Sequence, residues 1–153
     1  MTRTIKRKSS LYVRELSTKY KALKTPVIKL DSPQTVADFL KDKIGNECKE
    51  NFVVLGVNNK NEVVIFSKIS TGTVSESIVH PREVFVAAIL GNCSGIIISH
   101  NHPSGTLTPS RQDIATTKRL KEAGEIMGIP VIDHIIIGFN SDNYYSFKEE
   151  GGI

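Results

Sequence analysis

Four side chains in one short stretch have the types and spacing for metal chemistry. His100 and His102 stand two apart, and Ser110 and Asp113 three apart, within His100-Asn101-His102-Pro103-Ser104-Gly105-Thr106-Leu107-Thr108-Pro109-Ser110-Arg111-Gln112-Asp113. Zinc hydrolases use three protein ligands and leave a fourth position to water. Two neutral imidazoles and one carboxylate give a divalent ion a net charge of about +1, which brings a bound water's pKa to about 7. His100, His102 and Asp113 fit that set. Each half of the pattern also has a plainer reading. An isolated His-x-His is usually a pair of surface loop histidines. Ser110-x-x-Asp113 alone resembles a capping box, with Asp113 favoured by the helix dipole. The two halves at this distance from each other favour the metal site.

The elements around the stretch must bring these groups together. Gly95-Ile96-Ile97-Ile98-Ser99 is a short apolar run, the pattern of a buried strand. If strand geometry continues, His100 and His102 point the same way and Asn101 the other, so Asn101 is assigned no ligand role. Pro103, Gly105 and Pro109 keep the next residues in a loop. A helix then runs from about Ser110 to Met127, with Thr117, Leu120, Ala123 and Met127 as its expected inner stripe; Gly128 and Pro130 close it. Upstream, Ser32 reads as an N-cap with Pro33 at the first helical position, and Val36, Phe39, Leu40 and Ile44 follow at helical spacing. Residues 52–57 and 63–69 read as a hairpin about the turn 58–61. A helix is expected from Pro81 to Gly91-Asn92, with Val84, Phe85, Ala88 and Ile89 inward. Residues 131–137 read as a central strand and 144–147 as a last short one. Weaker strand signals lie at 11–16, 27–30 and 74–79. The order of elements predicts an α/β (α+β) fold with a central mixed β-sheet flanked by helices.

His-x-His, seven residues, then Ser-x-x-Asp resembles the metal motif of the JAMM (JAB/MPN+) metalloproteases. The longer string His100 to Gly105, with Pro109-Ser110 and then Asp133-His134, is similar to the RadC branch, historically labelled a DNA repair protein. The resemblance covers roughly residues 32 to 153. It implies a JAB/MPN, cytidine-deaminase-like architecture, one catalytic Zn2+ held by His100, His102 and Asp113, and an upstream glutamate as general base. The branch places an acidic residue just before a Phe-led strand, which here is Glu50, ahead of Phe52-Val53-Val54; Glu47 is the alternative if the register slips by three. Glu62, Glu76 and Glu83 are more distant candidates, and Glu83 is explained by a helix first turn. Ser110, whether or not it caps the helix, can donate its hydroxyl hydrogen to an oxyanion. Asp133-His134, among apolar neighbours, is expected to be structural or to hydrogen-bond behind the ligands. His80, before Pro81, is expected at a helix entry. The helix-hairpin-helix region common in the branch is not expected in the thirty residues ahead of the domain.

Length and charge set the remaining bounds. At 153 residues the chain is long enough to bury its own core as one domain. It has no apolar run of membrane-spanning length and no signal-peptide pattern, so a cytoplasmic location is expected. Cys48 and Cys93 form no metal-type pair and are expected to be reduced, small hydrophobes. The first thirty residues carry nine Lys and Arg against Glu15, whereas the whole chain is only +4, so the body is mildly acidic. This divides the chain into a basic arm, residues 1–30, and a RadC-like domain, residues 31–153. The leading expectation is a zinc-dependent hydrolase of a peptide or isopeptide bond acting on a peptide or protein substrate. An alternative is a DNA-associated module whose zinc is structural or vestigial, with weak nucleic-acid binding through the arm. A phosphodiesterase using the same zinc is a third reading.

Overall fold

The computed structural model describes residues 13, 15–17, 19–72 and 79–153. Among these, the chain forms six strands and three helices: β1 Ile28–Lys29, α1 Pro33–Ile44, β2 Asn51–Val57, β3 Glu62–Thr71, α2 Pro81–Leu90, β4 Gly95–His102, α3 Arg111–Met127, β5 Val131–Gly138 and β6 Tyr144–Ser146. The strands make one sheet in the order β1-β3-β2-β4-β5-β6. β4 and β5 run parallel and every other pair antiparallel, so the sheet is mixed. A parallel pair needs a crossover connection, and α3 supplies it. No helix among the described residues is long and apolar enough to cross a membrane.

β2 and β4 are buried along nearly their whole length, because helices cover both faces of the sheet. On one face α1 packs Val36, Leu40 and Ile44 against Val53, Leu55, Ile97, Ile135 and Ile137. On the other, α2 and α3 pack Val84, Phe85, Ala88 and Leu120 against Phe52, Val54, Ile96 and Ile98. The alternation of β4 thus sends Ile97 to one core and Ile96 and Ile98 to the other. Gly56 lies where only glycine fits: an added Cβ would meet Cys93 Sγ at 2.3 Å and Ile65 Cβ at 2.9 Å.

The expected caps are present. Ser32 accepts a bond from Thr35 N ahead of Pro33, and His80 Nδ1 accepts from Arg82 N ahead of Pro81. Two helical stripes differ from expectation. Ile89 is exposed, and α2 faces inward through Val84, Phe85 and Ala88. On α3 the buried residues are Asp113, Thr117, Leu120 and Gly124, while Met127 is exposed. The backbone of α3 comes so close at Gly124 that a Cβ there would stand 2.6 Å from Ile129 O, which fixes the stripe on 124 and turns 127 outward. Cys93 is buried as expected, but Cys48 is exposed; both are free. The strand signal at 27–30 survives as the short β1. The one at 74–79 lies outside the described residues except for Val79, which is in no strand. Residues 1–12, 14 and 18 of the basic arm, and with them half of the strand signal at 11–16, also lie outside them; Val13, Glu15 and Leu16 are exposed and in no strand.

Asp133 closes the far end of the chain onto β5. Its carboxylate accepts Ser146 Oγ at 2.6 Å, Lys148 N at 3.0 Å and His134 N at 2.7 Å. Burial pushes its carboxyl up, and those three donors pull it back. Asp133→Ala would leave the Ser146 hydroxyl and two N–H groups without their acceptor. Buried orphans cost about 1–3 kcal/mol, so urea denaturation should show a loss of at least about 1 kcal/mol. A loss near zero would mean that β6 is held by its strand pairing alone.

Candidate metal centre

β4 ends in Ser99-His100-Asn101-His102, and its alternation divides these residues between the two faces. His100 and His102 lie on the face covered by α2 and α3. The loop after them returns to start α3, whose third residue is Asp113. His100 Nε2 and His102 Nε2 are 2.9 Å apart. Asp113 Oδ1 is 3.3 Å from the first and Asp113 Oδ2 is 3.5 Å from the second. Glu50 Oε1 stands 3.8 Å from His100 Nε2. The ligand-type atoms of these four side chains all lie within 4.8 Å of one another, a group able to hold a metal ion.

Local folding aims Asp113. Ser110 is the N-cap of α3, and a capping box closes around it: Ser110 Oγ accepts from Asp113 N at 3.1 Å, and Ser110 N donates to Asp113 Oδ2 at 2.7 Å. The plainer reading of Ser110-x-x-Asp113 and the metal reading therefore hold together, because the box orients the carboxylate toward the histidines. Burial opposes ionisation of Asp113, but hydrogen bonds from His100 and then His102 outweigh it and hold the carboxyl well below the usual range. Asp113 in turn is the main cause of the raised pKa of His102. Both shifts say that a positive charge is welcome among these groups.

The outer nitrogens of the two histidines are occupied. His102 Nδ1 donates to Thr106 O at 2.7 Å, so the bare nitrogen of its neutral ring is Nε2. His100 Nδ1 lies 2.8 Å from His134 Nε2, and His134 Nδ1 lies 2.6 Å from Thr117 Oγ1, which donates to Asp113 O at 2.7 Å. Phe52 stacks on His100 with ring centroids 6.2 Å apart, and Phe147 stacks on His134 at 4.8 Å.

Glu50 sits immediately before β2, where the β2–β4 pairing of Phe52 with His100 brings the start of β2 to the end of β4. Asn101, on the opposite face from the histidines, grips the chain on both sides of Glu50. Its Oδ1 accepts Asn51 N at 2.7 Å, and its Nδ2 donates to Lys49 O at 3.0 Å. Gly72 N holds Glu50 O at 2.9 Å, and Thr71 Oγ1 donates to Asn51 Oδ1 at 2.8 Å. Asn101 is thus no ligand, as its parity implies; its part as a clamp was not legible in the sequence. Of the other glutamates, Glu47 pairs with Lys68, Glu62 accepts from Asn58 Nδ2 and Glu83 lies in the first turn of α2. Glu76 lies outside the described residues.

The cluster fits a small divalent ion. A tetrahedral site with ligand bonds of about 2.0–2.2 Å has ligand–ligand edges of about 3.3–3.6 Å. The two imidazole nitrogens are 2.9 Å apart, and Asp113 comes within 3.3 Å of His100 through Oδ1 and 3.5 Å of His102 through Oδ2, spacings near that range. A cation among them would turn the repulsion of facing lone pairs into attraction.

Residues 30–152 match the RadC-like JAB domain. Among curated relatives, a UPF0758 protein of Staphylococcus haemolyticus is 51% identical over 124 residues, which cover 81% of this chain and 54% of that protein. A UPF0758 protein of Staphylococcus carnosus is 46% identical over 142 residues, covering 93% of this chain and 58% of that protein. One of Rubrobacter xylanophilus is 48% identical over 126 residues, covering 82% of this chain and 53% of that protein. The chain spans about half the length of the curated relatives it matches. With the mixed sheet, the flanking helices and the Glu-His-His-Asp cluster at the end of β4, this match places the chain in the RadC-like JAB domain family.

Proposed function

We propose that the chain is a zinc-dependent hydrolase of the JAMM type that cleaves a peptide or isopeptide bond. The observation that carries this reading is the convergence of Glu50 on the His100–His102–Asp113 cluster, with its Oε1 3.8 Å from His100 Nε2. His100, His102 and Asp113 would hold the ion. When bound, it supplies Lewis-acid chemistry, polarising a carbonyl and acidifying water. Glu50 takes the proton from the attacking water and passes it to the leaving amine. Asn101 fixes Glu50 by holding the backbone of its two neighbours. Ser110 keeps its own hydrogen while its oxygen accepts the capping bond, so the hydroxyl can donate to the oxygen that gains charge as the amide carbonyl is attacked. Hydrolysis of a peptide library, with and without chelator, tests the activity as a whole.

Three outcomes follow from these assignments. Protein purified without added metal should contain one zinc per chain, and metal at a hundred times its Kd should raise folding stability by about 2.7 kcal/mol. Asp113→Ala should erase both; full zinc occupancy in that variant would overturn the ligand set. Glu50→Gln should keep its zinc and lose about 10²–10⁴ in rate, measured as kcat on any cleaved peptide. Loss of turnover in Glu47→Gln with normal turnover in Glu50→Gln would move the base by three residues. Ser110→Gly retains the backbone N–H that holds Asp113 Oδ2, and glycine is a tolerable N-cap. It should therefore stay folded and keep its zinc, yet run at least about tenfold slower, since an oxyanion donor is worth roughly 10²–10³ in rate. A wild-type rate in Ser110→Gly would leave Ser110 as a cap alone.

A further inference from the structure

We propose that Thr117 and His134 are positioning residues for the metal centre: they form a proton-ordered relay that locks His100 into the tautomer presenting Nε2 to the ion. The inference rests on the metal reading above, and its logic starts at the helix. Thr117 Oγ1 lies 2.7 Å from Asp113 O and 2.6 Å from His134 Nδ1. A carbonyl oxygen carries no hydrogen. If the threonine hydrogen pointed at His134, two bare oxygens would face each other at hydrogen-bond distance. So the hydroxyl donates to Asp113 O, and Oγ1 accepts from His134 Nδ1–H.

His134 holds a single ring proton. It is fully buried, stacked on Phe147 and edge-on to Phe52. A second, charging proton is disfavoured in that dry, ring-lined place. With that proton on Nδ1, its Nε2 is bare and accepts from His100 Nδ1–H across 2.8 Å. The bare nitrogen of a neutral His100 is then Nε2, the atom facing His102, Asp113 and Glu50.

A ligating histidine almost always donates its outer N–H to a carboxylate, a backbone carbonyl or water. Here the acceptor is a second imidazole, which accepts on one side only because Thr117 takes its proton on the other. Without the Thr117 oxygen, His134 is free to carry its proton on Nε2 instead. It would then donate to His100 Nδ1 and force the His100 proton onto Nε2, where it blocks the metal. The relay also returns to the site: Thr117 is one turn along α3 from Asp113 and bonds to that residue's carbonyl, so one chain of hydrogen bonds joins two ligands from behind.

The experiment is a zinc affinity series by chelator competition on the full chain, with ring-nitrogen NMR of the metal-free protein. Thr117→Val keeps the shape and removes the oxygen, and Thr117→Ser keeps the hydroxyl. His134→Phe keeps the stacked ring and removes both nitrogens, and His134→Gln restores an acceptor near the place of Nε2. Loss of such an outer partner costs about 10–100-fold in metal affinity. Thr117→Val and His134→Phe should lose that much, with Thr117→Ser and His134→Gln recovering most of it. Long-range proton–nitrogen correlation of the metal-free wild type should show His100 and His134 both protonated at Nδ1, and Thr117→Val should shift both toward Nε2–H. Unchanged zinc affinity in Thr117→Val, or a wild-type His100 protonated at Nε2, would overturn the relay. If His134→Phe does not fold, the Thr117 pair and the wild-type tautomer decide the question. Should the wild type take up no zinc, the metal reading fails, and the tautomer measurement still decides the relay.

Discussion

Everything at this site depends on the period of a strand that is buried on both faces. β4 has no solvent side, so each of its side chains enters one of two cores, and consecutive residues cannot share a task. At its last turn toward α3 this parity gives the two histidines to one face and Asn101 to the other. The histidines meet a helix that starts directly above them. The asparagine meets the chain entering β2 and sets where Glu50 emerges. One strand end thus sets the two histidines and Glu50 from its opposite sides, and the two cores that flank it supply the rigidity.

Much of this was legible in the sequence, for a physical reason. Metal-ligand spacing, N-caps and strand parity are local: His100, His102, Ser110, Asp113, Ser32-Pro33 and His80-Pro81 each announce themselves within a few residues. Glu50 was legible only through the family pattern, because nothing local marks a glutamate beside a lysine as anything but solvated surface. What could not be read were the pairings that the sheet creates across distance. Asn101 reaches back fifty positions to Asn51, and His134 meets His100 thirty-four positions before it. A sequence shows that such buried polar groups need partners, but not which ones. The stripe of α3 departs from expectation only at its end, for a related reason: Thr117, Leu120 and Ala123 face the core, but Gly124 rather than Met127 makes the close approach.

Asp133 and His134 show how far adjacent residues can diverge. As neighbours on one strand they face opposite ways. Asp133 ties β6 and Lys148 to β5, while His134 stands behind His100. Their juxtaposition in the sequence invites a joint role that strand parity forbids. The capping box at Ser110 teaches the reverse lesson: two readings that compete on paper coincide in space, because the bond that starts the helix is the one that aims the carboxylate.

The inward stripe of α3 has a mechanical consequence. Asp113, Thr117, Leu120 and Gly124 lie along one line of the helix, running from the carboxylate of the cluster through the buried hydroxyl to core contact to closest approach. A slip of the helix by a single residue would rotate that line by about 100°. It would withdraw the carboxylate, part Thr117 from His134, lift Leu120 from the core and drive a side chain into the space that Gly124 leaves empty. None of these errors can occur without the others. The helix behaves as a key cut on a single edge, and the accuracy of its polar end is guaranteed by the fit of its apolar end.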